Sequence, residues 1–214
     1  VPTVTLNNVL NIQDSGNLTG GAIVFNNADA KLIHYGTGNV ANNIILLNSA
    51  SPALDIYQTS SYSGTLSSND AYQMRVQPSR LFKVSSNFDI SNNLTKTGTG
   101  ELILQNNVIQ RADVAVNAGT LSHTSSNATN HYNYNSGTIS GGGTFRMAGL
   151  FDCSGVRGTT CSINTTSVDL SGAVTVDISG SLGIVPAVTL NNVLNIQDGG
   201  NLTGGAITFN NTDA

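Results

Sequence analysis

Apolar residues in this chain fall in short runs separated by polar corners. VTL at 4–6 is followed by Asn7-Asn8, VLNI at 9–12 by Asp14-Ser15-Gly16, and AIVF at 22–25 by Asn26-Asn27. IILL at 44–47 follows Asn42-Asn43, FDIS at 88–91 precedes Asn92-Asn93, and ELILQ at 101–105 precedes Asn106-Asn107. No window of about 11 residues repeats apolar positions at i, i+3, i+4 and i+7, so the pattern predicts strands and no sizeable helix. β-Branched runs bounded by Asn, Gly and Ser carry the same message. The expected class is all-β.

The corner residues add a second expectation. Asn tolerates the left-handed backbone that a sharp corner needs, and its side chain can satisfy backbone groups there. Stacked coils would let such side chains bond along the stack. The candidates for this corner ladder are Asn7, Asn8, Asn26, Asn27, Asn42, Asn43, Asn92, Asn93, Asn106 and Asn107. The stretch 51–80 is harder to assign. It holds ALDIY at 53–57 and YQMRV at 72–76, and the polar segment 58–70 between them is expected to bulge from the body as a loop. Further on, 131–147 alternates, turns on Gly141-Gly142-Gly143 and alternates again, and Val174, Val176 and Ile178 share one strand face.

The opening stretch occurs twice. Residues 1–30 return as 185–214 with four differences: Thr3 against Ala187, Ser15 against Gly199, Val24 against Thr208 and Ala28 against Thr212. The offset between Val1 and Val185 is 184 residues. Self-similarity at a fixed period marks repeat architectures. The expected organisation is one repeat unit at 1–184 and the start of the next tandem copy at 185–214, with local duplication of one coil as the alternative. At about 4.8 Å of rise per coil and about 7–9 coils, a period would be about 35–45 Å long.

One stretch carries a recognisable motif. Residues 94–121 read LTKTGTGELILQNNVIQRADVAVNAGTL. Leu94, Lys96, Gly98, Gly100, Leu102 and Leu104 set out L-x-K-x-G-x-G-x-L-x-L, and Val114, Val116, Gly119, Thr120 and Leu121 close it as V-x-V-x-x-G-T-L. This resembles the autotransporter-associated β-strand repeat. The spacer QNNVIQRAD departs from the Gly-rich, Tyr-containing spacer more usual in that family. The resemblance implies a right-handed parallel β-helix in the exported passenger of a Gram-negative surface protein.

Composition narrows the classes. Charged residues are 9 % of the chain, against about 25 % in a typical globular protein. A net charge of −4 offers no basic patch, so no nucleic-acid partner is expected. No apolar run approaches the length of a membrane span, and no leader is legible, so any export segment is expected outside this stretch. Cys153 and Cys161 flank a loop with two glycines. The spacing favours a local disulfide and an oxidising setting; two free thiols are the alternative. The paired cysteines also look like the resembled family.

Catalytic chemistry is thinly provided. Glu101 is the only glutamate, and the aspartates are scattered singly; Asp169 and Asp177, eight apart, could share a face only by chance. Polysaccharide-cleaving β-helices need clustered carboxylates on one groove. His34, His123 and His131 read as solvated loop residues. No catalytic residue, metal or cofactor is expected. The chain is read as a structural repeat of a long extracellular filament or stalk on a bacterial cell surface. Its expected partners are adjacent copies of itself end to end and a surface or glycan ligand met by the segments 58–70 and 122–134. A secreted carbohydrate-binding or carbohydrate-degrading β-helix is the alternative.

Overall fold

A computed structural model describes residues 2–124, 131–135, 137–148, 150–153, 160–169, 175–178, 181–184, 186–190, 193–196 and 201–209. It is an all-β parallel solenoid, and no helix occurs among these residues. Every strand pairing is parallel, and paired residues lie about 20 positions apart in sequence: Leu10 pairs with Leu32, and Leu32 with Leu54. The chain therefore winds in turns, each turn stacking on the last.

Each turn has three faces. The first face begins with Val4–Leu6, Ile23–Asn26, Ile44–Asn48 and Leu66–Ser68. It resumes with Phe88–Ile90, Val108–Gln110 and His131–Tyr134, and ends with Val193–Ile196. The second face is one unbroken ladder from Val9–Ile12 to Asn201–Gly204. The third starts at the bridge between Leu18 and Val40 and runs through Ser60–Tyr62, Leu81–Val84, Glu101–Leu104 and Thr120–Thr124. Thr138–Ala148 and Thr160–Asp169 each serve two faces, bending at a register shift between Gly141 and Thr144. Gly141 takes φ +117° at that bend, which a side chain would resist.

Strand alternation turns every second side chain inward, and these side chains build a core along the axis. Phe25, Leu32, Leu54, Val84, Leu102 and Leu121 are all fully buried. Aromatics pack along the axis: Tyr132 and Phe145 meet edge to face at 5.5 Å between centroids.

The segment 58–70 is not a bulging loop. It contributes two strands, Ser60–Tyr62 on the third face and Leu66–Ser68 on the first, with Tyr62 wholly inside. Its hydroxyl donates to the Thr65 carbonyl at 2.5 Å, so a polar-looking segment closes its own turn. The segment 122–134 likewise contains strand residues at both ends, and Ser122 is buried; 125–130 lie outside the described residues.

Candidate functional site

The motif residues converge on one buried cation. Lys96 follows Leu94 at strand spacing, so both point inward. It takes a place that the neighbouring turns fill with Met74 and Val116. The side chain is fully buried. Its Nζ donates to the carbonyls of Gly98 at 2.5 Å, Gly100 at 2.6 Å and Ala118 at 2.9 Å. Three donors thus meet three acceptors, which is what a buried ammonium requires. Burial lowers its pKa to about 8, opposed by the charge of Glu101.

The glycines of the motif make room for this cage. Gly98 at φ +72° and Gly119 at φ +67° hold conformations that disfavour a side chain. A β-carbon at Gly119 would stand 2.3 Å from the Gly100 carbonyl oxygen and 2.7 Å from Lys96 Nζ. The motif K-x-G-x-G with a later G-T-L is therefore one physical unit: a lysine that clips the corner of one turn to the corner of the next. The apolar motif residues Leu94, Leu102, Leu104, Val114, Val116 and Leu121 are buried around it.

The corner asparagines work in two directions. In three of the pairs the first Asn donates to a carbonyl one turn back: Asn42 to Gly21 and Asn92 to Ser68 at 2.6 Å each, and Asn106 to Ser85. The second Asn accepts a backbone N–H one turn on. Asn43 receives Thr65 at 3.1 Å, Asn93 receives Asp113 at 3.1 Å, and Asn107 receives His131 at 2.9 Å. One pair thereby clamps three turns. These bonds run from side chain to backbone, not from Asn to Asn. Asn8 and Asn27 instead bond locally, to the N–H groups of Val9 and Asp29.

Outward-facing charges also link turns. Asp55 forks onto Arg75, whose pKa is raised by that carboxylate, and Gln77 donates to the same Asp55 oxygen at 3.2 Å. Asp89 meets Arg111 at 3.4 Å, and Glu101 meets Arg146 at 3.3 Å and Ser122 at 2.7 Å. Asp169 and Asp177 lie in strands of the third and the first face respectively. Among the described residues, no three His, Cys, Asp or Glu side chains gather into a metal site.

Two histidines are not solvated. His34 and His123 are fully buried, and burial lowers the pKa of each. They stand two residues after Leu32 and Leu121, and strand alternation carries them inward. His123 Nε2 donates to the Asn106 carbonyl at 2.9 Å, whereas neither ring nitrogen of His34 has a hydrogen-bond partner among the described residues. His131 is half-buried. The disulfide expected between Cys153 and Cys161 concerns side chains outside the described residues.

The first-face ladder is interrupted between Leu66–Ser68 and Phe88–Ile90. Beside this break lies a surface groove of about 470 Å³. Asn87, Asp89 and Asn133 rim it, and Leu66, Phe88 and Ile109 supply its apolar part. Nothing in the sequence marks this break.

No family model, no curated protein and no solved structure matches this chain. No helix among the described residues is long and apolar enough to cross a membrane.

Proposed function

We propose that this chain is a repeat of a long extracellular filament or stalk on a bacterial cell surface, of the autotransporter-passenger kind, and that it acts by its shape and surface without catalysis. The observation that carries this reading is the return of 1–30 as 185–214 within one parallel stack of turns, since a repeated sequence on a stacking fold propagates along its axis. The Lys96 cage supports the family likeness, because Lys96, Gly98, Gly100 and Gly119 of the resembled motif meet in it and the motif's leucines and valines are buried around it.

The test is imaging of a longer stretch of the same protein together with antibody labelling of intact cells. The expected result is unbranched rods whose length grows with the number of periods, labelled without permeabilising the cells. Compact particles, or labelling only after lysis, would overturn it.

The groove beside Phe88 favours an adhesive role on the same scaffold. Amide and carboxylate groups around an apolar floor suit the hydroxyls and the C–H face of a sugar. A glycan array probed with the chain and with Asp89→Ala tests this; a signal unchanged by the substitution would place the contact elsewhere. The carbohydrate-degrading alternative predicts new reducing ends from a bound polysaccharide, and their appearance would overturn the non-catalytic reading.

A further inference from the structure

The duplicated stretch is folded twice in this chain, once without a neighbour below it and once with one. In both copies VTL and VLNI form strands, and NLTG closes on a glycine with φ +123°, at Gly20 and at Gly204, although 201–204 form a strand where 17–20 make a single bridge at Leu18. Their surroundings differ. Val4 is 52 % exposed, while its counterpart Val188 is 3 % exposed. Around Val4 the core opens as a cavity of about 250 Å³ lined by Pro2, Leu6, Leu10, Leu18 and Ile23. Val188–Leu190 instead packs against Thr160–Asp169.

The covered copy shows what the open copy lacks. Val193–Ile196 pairs with Thr175–Ile178, with Asn195 opposite Asp177. Asn201–Gly204 pairs with Ser181–Ile184. The equivalent open edge is Val9–Ile12 and residues 17–20.

The two copies also sit on different faces. Val9–Ile12 belongs to the second face, whereas its counterpart Val193–Ile196 belongs to the first. Leu18 bridges on the third face, whereas Leu202 pairs on the second. Following the second-face ladder from Val9–Ile12 to Ser181–Ile184 covers eight turns, and Val188–Leu190 comes next, beside Thr160–Asp169. One 184-residue period therefore spans eight turns and two faces, not a whole number of turns.

From this we infer that successive copies of the period stack on one another in a fixed register and with a fixed rotation. Thr175–Ile178 of the preceding copy lies against Val9–Ile12, with Asp177 opposite Asn11, and Ser181–Ile184 lies against residues 17–20. Each copy is turned by one face, about a third of a revolution, relative to the one before it. Three copies restore the starting phase. The inference rests on the end-to-end reading proposed above and adds its geometry.

A chain with an additional copy of residues 1–184 placed ahead of the whole 214-residue sequence tests it. Asp177→Cys in the first period and Asn11→Cys in the second should form a disulfide, because positions directly opposite in a parallel ladder are about 4.8 Å apart, within the Cα range of such a bond. Stacking without rotation would instead put Gly183 opposite Asn11, so Gly183→Cys with Asn11→Cys is the competing pair. Peptide mapping identifies which cysteines are joined. The rod should also lengthen by about 42 Å per added period. The Gly183 link in place of the Asp177 link overturns the rotation and leaves end-to-end stacking standing. Lengthening without either link overturns the register. No lengthening overturns the stacking and this inference together. Electron cryomicroscopy of the unsubstituted two-period chain reads the rotation directly, and a rotation near zero overturns it however the variants behave.

Discussion

Lys96 and Gly119 share one space in the core: a β-carbon on Gly119 would stand 2.7 Å from the lysine Nζ. Gly119→Ala should therefore both strain a backbone held at φ +67° and crowd the ammonium, costing about 2–4 kcal/mol. Lys96→Met keeps the volume but leaves the carbonyls of Gly98 and Ala118 without the donor found in the native turn, costing about 2–4 kcal/mol. Denaturant midpoints measure both. If the methionine variant is as stable as the native chain, the cage contributes nothing to stability.

The same lysine makes stability depend on pH in an unusual direction. Its pKa is lowered to about 8 in the folded chain, against 10.5 for an ordinary lysine. Between these values the unfolded chain binds more protons than the folded one, so stability rises with pH. The melting temperature should climb from pH 8 to about pH 10, and Lys96→Met should remove the climb. A flat profile in the native chain would count against the depressed pKa.

On the acid side the buried histidines act. Burial lowers the pKa of His34 and His123 in the folded chain, so protonation below about pH 6.5 favours unfolding, and stability falls as pH drops through the lowered values. His34 has no partner for either ring nitrogen among the described residues and sits between Ile12 and Ile56 in its ladder. His34→Leu should be neutral or stabilising at pH 7 and should blunt the acid loss. Melting curves at pH 5 and 7 for both chains decide it.

Residues 59–69 contain strands of two faces, and deleting them leaves a turn that cannot close. That deletion should abolish the cooperative melt. Excising 44–65 instead joins Asn43 to Leu66, which already pairs with Ile44 one turn apart, and should give a folded solenoid one turn shorter. Circular dichroism and thermal melts compare the two. Equal tolerance of both deletions would contradict the turn boundaries.

Much of this was legible in the sequence because strand alternation and Asn or Gly corners are local signals. The runs at 4–6, 9–12 and 101–104 are strands where the apolar pattern puts them. The motif at 94–121 falls on two stacked turns. What stayed hidden is the burial of polar residues. Lys96, His34 and His123 lie two positions from Leu94, Leu32 and Leu121, so alternation alone sends them inside, against the usual preference of such residues for solvent. For Lys96 and His123 the nearby carbonyls of the turns supply the partners that make this affordable. Segment 58–70 misled for a related reason: its hydroxyls and amides read as loop, yet Tyr62 and Leu66 hold it in the wall.

The winding of the chain has a mechanical consequence. Leu10, Leu32 and Leu54 are successive neighbours along the axis, each 22 residues after the last. Fully drawn out, 22 residues measure about 75 Å, whereas one turn advances only about 4.8 Å. The hydrogen bonds between turns lie along the axis, so a pull on the ends loads them in series, a turn at a time. Each turn that yields releases some fifteen times its own height as slack. Under sudden load such a tether would lengthen by paying out turns before any covalent bond carried the full force.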